Sequence, residues 1–340
     1  MSDFYQVPEQ QQIERLNALV RAALPLWGMA ADAEISLLKY RENAVYAVVS
    51  DGTRYALRVH RANYHSDAAL RSELQWMDAL NREGINTPDV IPATDGELFK
   101  VFSVEGVPEP RQVDILGWVE GEALGSIEEG ASGDAETTIA NYRIVGELMA
   151  RLHNQAQRWD KPAGFSRHAW DVDGLVGENP LWGRFWELGA LTDDQRALIE
   201  RAREKVRVDL ETFGQDEDRY GLIHCDFLPE NLLRSADGMR LIDFDDSGYG
   251  WHLFDIATSL FFIADDEHFD AIFDAFITGY RSERALPASH EELMPLFFLI
   301  RGLVYLGWAL TRQEIDTAKE MTPILVEAVT ALAREYLGES

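Results

Sequence analysis

The sequence predicts an α+β chain in two lobes, an N-terminal lobe built on antiparallel strands and a larger, mainly helical C-terminal lobe. Length is one reason, since 340 residues exceed what a single hydrophobic core usually holds. A second is the series of strand-like segments early in the chain, punctuated by Asp51-Gly52 and Asp95-Gly96, pairs that suit hairpin turns because glycine accepts positive φ. A third is the helical periodicity that dominates from about residue 135 onward. At 46% hydrophobic residues the chain has enough apolar mass to pack both lobes rather than remain disordered.

In residues 10–24, Ile13, Leu16, Leu19, Val20, Ala23 and Leu24 recur at helical spacing, which predicts a leading helix on the first lobe. Residues 46–49 and 55–59 then form an antiparallel hairpin across Asp51-Gly52. On its second strand Tyr55, Leu57 and Val59 share one face, and Ala56 and Arg58 the other. Ser66 caps a helix that runs to about Glu83 and stops at Gly84. Its apolar stripe is Leu70, Met77 and Leu80, and Glu73 falls among them. A carboxylate there needs a partner, and Arg58 is the natural one; the alternative is a marginal Glu73 that reaches water. Further strands are expected at 90–91, 97–104 and 113–118.

An acidic run at 125–136 reads as a loop before a long helix over about 135–159, with Leu148, Leu152 and Gln155 on one face. In residues 161–187, Asp171, Asp173 and Gly174 suggest part of a calcium loop, but Ala169 and Pro180 occupy its first and twelfth ligand positions, so an EF-hand is rejected. Trp170, Trp182, Phe185 and Trp186 read as packing between helices, with a substrate-pocket wall as the alternative. Helices are expected at 193–213, 253–281, 291–312 and 322–337, the last with Thr322 as cap and Pro323 at the first helical position. Residues 293–310 are apolar enough to suggest a membrane span, but Arg301 at the centre, Pro295 and two glycines favour a buried helix.

The chemistry concentrates in residues 221–257, GLIHCDFLPENLLRSADGMRLIDFDDSGYGWHLFDIA. An apolar tetrad ends at His224, followed by Asp226, Asn231 and Asp243. Two short apolar runs flank Ser235-Ala236-Asp237-Gly238, and a hairpin there returns Asp243 to the side of Asn231, with Asp226 just before the first strand. Two carboxylates and an amide oxygen converging in this way make a hard-oxygen site suited to Mg²⁺, which completes its shell with water and phosphate oxygens.

His224-x-Asp226 with Asn231, then Ile242-Asp243-Phe244-Asp245, then Asp255-Ile256-Ala257 resemble the motifs of the aminoglycoside phosphotransferase and type II homoserine kinase-like family. The resemblance implies a protein-kinase-like fold, with residues 1–119 as a nucleotide-binding lobe and 120–340 as a catalytic and substrate-binding lobe. Residues 115–121 resemble the family's interlobe hinge, where the backbone near Trp118 and Val119 meets the adenine edge. Tyr55-Ala56-Leu57-Arg58 matches the kinase V-A-I-K strand with Arg in place of Lys, which keeps the charge but changes the geometry; the alternative is a solvent-facing strand residue. An Arg58–Glu73 pair would then reproduce the strand-to-helix ion pair of kinases. Residues 39–46 resemble the glycine-poor phosphate loop of small-molecule kinases, with Asn43 in the turn.

The resemblance further implies transfer of the ATP γ-phosphoryl group to a hydroxyl. Asp226 would orient that hydroxyl and take its proton, Asn231 and Asp243 would hold Mg²⁺ on the phosphates, and Asp255 would anchor the loop backbone. His224 is expected to pack behind the loop, and His153 to be a hydrogen-bonded structural histidine. Asp245 and Asp246 either tune the metal, face a substrate ammonium, or are solvated acids. Cys225 stands where relatives carry Gly and reads as a small buried filler; it points away from its neighbour His224, which argues against a nucleophilic dyad.

A net charge of −28 reads first as a solvated acidic surface that keeps the protein soluble; it also disfavours nucleic acid and anionic membranes and fits a cationic acceptor. The expected acceptor is a small amine-bearing molecule: an amino alcohol, a homoserine-like amino acid or an aminoglycoside. A Ser/Thr protein kinase of the stress-response type is the alternative, but Asp243-Phe244-Asp245 lacks the glycine of D-F-G and no A-P-E segment follows. A nucleotide-binding pseudokinase has only Arg58 in its favour, since Asp226, Asn231 and Asp243 are all present. One cysteine excludes an internal disulfide, and the first residues show no signal peptide, so a cytoplasmic location is expected.

Overall fold

A leading helix and a strand meander make the first of two units, which comprises Met1–Glu120 and Lys161–Ser166. The computed structural model describes residues 4–40, 43–126, 130–313 and 315–339. The first unit contains α1 (Glu9–Ala23), β1 (Glu34–Tyr40), β2 (Ala44–Ser50), β3 (Thr53–Val59), α2 (Asp67–Arg82), β4 (Val90–Ile91), β5 (Lys100–Phe102) and β6 (Arg111–Gly117). The strands form one antiparallel sheet in the order β1-β2-β3-β6-β4, with β5 also on β6. Asp51 and Gly52 turn β2 into β3 with φ of 51° and 75°, as a two-residue hairpin requires. Leu16, Leu19 and Val20 of α1 join Tyr46, Val48, Leu57, Val59, Val113 and Ile115 in one buried cluster, so the predicted apolar face of β3 is the core face. Ser66 accepts from Ala69 N at 3.2 Å to start α2, and Gly84 follows its end at φ 73°. The strand expected over 97–104 is shorter, Lys100–Phe102.

The second unit comprises Gly121–Asp160 and Arg167–Ser340. Its elements are β7 (Glu122–Ala123), β8 (Gly125–Ser126), β9 (Gly130–Ala131), α3 (Ala135–Arg158), β10 (Ala169–Trp170), α4 (Val172–Val176), α5 (Asp193–Phe213), β11 (Tyr220–Ile223), β12 (Leu232–Ser235), β13 (Gly238–Leu241), β14 (Gly248–Trp251), α6 (His252–Leu260), α7 (Phe269–Glu283), α8 (Ala288–Glu291), α9 (Met294–Thr311) and α10 (Asp316–Leu337). The acidic run holds the small hairpin β8–β9, and its residues 127–129 lie outside the described residues, as do 41–42 in the expected phosphate loop. Asp134 caps α3, and Thr192 with Gln195 forms a capping box on α5. Asp171 caps α4, which is the role of the acid that suggested a calcium loop. Trp170, Trp182, Phe185 and Trp186 are all buried, in line with core packing.

Two expected helices differ. The one over 253–281 is broken: α6 ends at Leu260, and α7 begins only at Phe269. The acids Asp265, Asp266 and Glu267 lie between them, and Asp266 accepts from His268 N at 2.7 Å, a local bond that competes with helix. The last helix starts at Asp316 rather than Thr322, so Pro323 lies inside it. Thr322 is no cap; its hydroxyl donates to Ala318 O at 2.6 Å. The carbonyl that Pro323 deprives of a donor is that of Lys319, an exposed residue where water can serve it. The stretch Ala288–Thr311 is long and apolar enough to cross a membrane by length and composition, yet 78% of its most apolar window is buried inside the protein, as in a core helix.

Glycines let α3 and α7 approach until backbones touch. A Cβ at Gly146 would lie 2.1 Å from Phe276 O, and one at Gly279 would lie 2.0 Å from Arg143 O. We expect Gly146→Ala to destabilise by about 1–3 kcal/mol through overpacking. Gly189→Ala, whose Cβ meets nothing within 4 Å, should stay within about 0.5 kcal/mol of wild type. Urea unfolding of both variants decides; equal stabilities would refute the close approach.

Candidate active site

Strand β11 delivers the chain to His224 and Cys225, and Asp255 in the first turn of α6 fixes it there. Its carboxylate accepts from Cys225 N at 2.7 Å and from His224 N at 3.2 Å. It also meets His153 Nε2 at 2.9 Å, while His153 Nδ1 meets the Tyr280 hydroxyl at 2.8 Å. Burial holds His153 well below its usual range, so it is a neutral donor to Asp255 and not half of an ion pair. Burial pushes the Asp255 carboxyl up to about 6, against the pull of His224 and the two backbone donors. The anchoring expected of Asp255 and the structural part expected of His153 are both seen. Cys225 is buried and has φ 67°, a left-handed conformation costing roughly 1–2 kcal/mol in a side-chain-bearing residue. That conformation gives the physical reason a glycine would serve at this position.

His224 is fully buried and edges onto Phe244 and Phe227, with centroids 4.4 and 5.1 Å away. Its Nδ1 accepts from Asp226 N at 3.2 Å, which requires a neutral ring, and burial brings its pKa down to about 4. Asp226 keeps 16% of its side chain exposed. Asn231 donates through Nδ2 to Asp226 Oδ2 at 2.6 Å and to its carbonyl at 3.0 Å. The hairpin then closes as expected: Leu232 pairs with Leu241, and Ile242 N donates to Asn231 O at 3.0 Å, which sets Asp243 beside Asn231. Burial, followed by the charges of Asp246 and Asp243, raises the Asp226 carboxyl well above its usual range, with Arg301 opposing.

The donor chemistry here fits a hard cation. With both Asn231 N–H groups turned to Asp226, its Oδ1 is an acceptor beside the exposed carboxylate of Asp243. Among the described residues no three His, Cys, Asp or Glu side chains form a metal cage, so a cation here needs oxygens from phosphate and water.

In the first unit, Arg58 and Glu73 meet as expected, Nη1 to Oε1 at 2.9 Å, both buried; the solvent-facing alternatives for both do not hold. A third member was missed. Asp114, opposite Arg58 on β6, accepts from Arg58 Nε at 2.9 Å and Nη2 at 3.0 Å, and meets His60 Nε2 at 2.5 Å. Burial would raise its carboxyl, but Arg58 and His60 hold it below the usual range. An acid between Val113 and Ile115 was as visible a signal as Glu73. Asn43 accepts from Arg61 N at 3.1 Å, and the Trp118 ring lies under the Arg54 guanidinium at 3.5 Å, with half-buried Val119 next in the chain.

Arg301 was also missed as a site residue. It is fully buried on α9, donates to the Tyr305 hydroxyl at 2.7 Å and to Cys225 O at 3.4 Å, and lies 3.8 Å from Asp226 Oδ1. An arginine in the middle of an apolar helix was the signal, read in the sequence only as an argument against a membrane span.

The phosphotransferase enzyme family model matches residues 36–293. The chain belongs to this family. A microcompartment-associated aminopropanol kinase of known structure is 32% identical, with a TM-score of 0.83, over 94% of this chain and 97% of that one. Amicoumacin kinase of Bacillus subtilis (strain 168) is 24% identical over 306 residues, 86% of this chain and 84% of that protein. A structure of amicoumacin kinase hAmiN in complex with AMP-PNP, Ca²⁺ and Ami shares the fold, with a TM-score of 0.75 at 19% identity, over 96% of this chain and 94% of that one. The fold is thus the protein-kinase-like one of this phosphotransferase family, and the chain is an enzyme of phosphoryl transfer to hydroxyl groups. A protein-kinase activation segment has no room, because β14 starts five residues after Asp243 and runs straight into α6.

Two outcomes follow from the loop's anchoring. The His224 ring should titrate near pH 4 by NMR; a midpoint near 6.5 would mean that its packing is wrong. Its depressed pKa contributes stability that is fully present above pH 6.5 and lost as pH falls through about 4, whereas the raised carboxyl of Asp255 works with the opposite sign. Asp255→Asn turns an amide NH₂ toward one or two of the three donors, whichever way it is flipped, and should cost about 2–4 kcal/mol in urea unfolding; an unchanged midpoint would remove Asp255 as the anchor.

Proposed function

We propose that this family member is a kinase that uses Mg²⁺ and ATP to phosphorylate the hydroxyl of a small amine-bearing molecule, with an amino alcohol as the favoured class. The observation that carries this reading is Asp226, an acid with raised proton affinity held by Asn231 on a backbone pinned by Asp255. Asp226 orients the acceptor hydroxyl and takes its proton as the oxygen attacks, and its raised pKa brings it nearer to the pH at which it works. Asn231 Oδ1 and Asp243 would hold the cation, which when bound neutralises charge on the phosphates. Arg301 keeps a positive charge behind Asp226 where Asp243 and Asp246 crowd it.

Residues 1–119 form the nucleotide-binding lobe in this reading, and 120–340 the catalytic and acceptor-binding lobe. Arg58, steadied by Glu73 and Asp114, provides phosphate-facing charge. Asn43 shapes the phosphate loop, and the backbone at Trp118 and Val119 meets adenine. The amine preference is supported by the likeness to an aminopropanol kinase over nearly the full length of both chains and by the net charge of −28.

Asp226→Asn should lower turnover about 10²–10⁴-fold while Mg-ATP still binds, by calorimetry; undiminished turnover would refute the base. ADP release measured across amino alcohols, homoserine-like amino acids, aminoglycosides and a generic protein should be fastest with an amino alcohol. Turnover with the protein alone would overturn the small-molecule reading.

A further inference from the structure

The segment entering α4 has no part in the chemistry above, yet it binds the loop that follows Asp243 at every carbonyl from Phe244 to Ser247. Arg167, buried, donates through Nε to Ser247 O at 2.6 Å and through Nη2 to Asp245 O at 2.5 Å and Phe244 O at 3.3 Å. Trp170 Nε1 donates to Asp246 O at 2.9 Å, and His168 Nε2 meets the same oxygen at 3.1 Å. We infer that Arg167, assisted by Trp170, is a positioning residue that holds loop 243–247 in one shape and thereby sets how tightly Asp243 binds the metal of a metal–nucleotide complex. This rests on the metal-binding part proposed for Asp243.

Physical reasons for such a device are on the loop itself. It carries three carboxylates, Asp243, Asp245 and Asp246, and Asp243 has φ 66°. Crowded acids and a left-handed aspartate both favour opening the turn. A guanidinium opposes that in two ways, by placing a permanent charge beside the acids and by spanning carbonyls two and three residues apart with a rigid fork that an ammonium cannot reproduce. The contact is built into the backbone as well. Ala169 and Trp170 pair in parallel with Tyr249 and Gly250, and Tyr249 N donates to His168 O at 3.0 Å. Gly248 permits this approach, since a Cβ there would lie 2.7 Å from His168 O. Of the loop's acids Asp243 is exposed, Asp246 half-buried and Asp245 buried, so Arg167 holds by its carbonyls a turn whose first acid faces solvent.

The test uses the full chain with AMP-PNP and Mn²⁺, measuring Mn²⁺ affinity by EPR and amide hydrogen exchange over residues 243–248. Arg167→Met should weaken Mn²⁺ binding about 10–100-fold and speed exchange in the loop while α9 stays protected. Arg167→Lys, with charge but no fork, should be weakened in the same direction, and Trp170→Phe, which loses one donor, by less. If Arg167→Met does not fold, Trp170→Phe carries the test with the same two readouts. Unchanged loop exchange in folded variants would overturn the latch. Faster exchange with wild-type Mn²⁺ affinity would overturn its link to the metal. A wild-type protein that binds no Mn²⁺ with AMP-PNP would overturn both that link and the kinase reading, whereas wild-type binding with unaltered variants would overturn the inference alone.

Discussion

One buried carboxylate, Asp255, joins the helices to the segment that carries Asp226. It draws two backbone N–H groups and a neutral imidazole onto a single side chain, and each has few other partners so far from water. The arrangement reaches outward through His153 to Tyr280 on α7, and α7 lies close enough only because Gly146 and Gly279 remove the side chains between it and α3. Through His153 the packing of α3 on α7 is thus tied to the carboxylate that holds His224 and Cys225. The left-handed turn at Cys225 is held against its own strain by the same carboxylate.

Around this anchor the protein solves a charge problem. Asp226, Asp243 and Asp246 are near enough to one another to raise the first one's proton affinity, and burial adds to the effect. Arg301 answers from behind, its guanidinium set among the rings of Tyr305, Trp182 and Phe254 at 4.2, 5.2 and 5.6 Å. Aromatic faces stabilise a cation that has given up its water. Within the first unit, Arg58 is likewise bound by two acids, Glu73 and Asp114. Both arginines are thus rigidly placed, one between acids and the other among rings.

Local signals in the sequence were read well. Ser66 and Gly84 bounded α2, Asp51-Gly52 turned the first hairpin, and the 12-residue spacing from Asn231 to Asp243 foretold the second. These features depend on backbone preferences that act within a few residues. Pro323 misled because a proline after a threonine fits a helix start, and only the packing of Ala318 and Met321 shows that the helix begins nearly two turns earlier. Asp114, Arg301 and Arg167 were visible as charges in apolar or unfamiliar surroundings, but their partners lie 56, 76 and 80 residues away in sequence, beyond what periodicity can report. A buried charge announces that it has a partner without naming it.

Cys225 carries a chemical consequence. It is the protein's one thiol, it is wholly covered, and burial keeps it protonated far above the range in which thiols react. The folded enzyme therefore offers oxidants and alkylating agents no accessible thiolate. Its only cysteine becomes reachable when the segment bearing Asp226 peels away from Asp255 and Arg301, so the rate of thiol modification measures how often that segment comes apart.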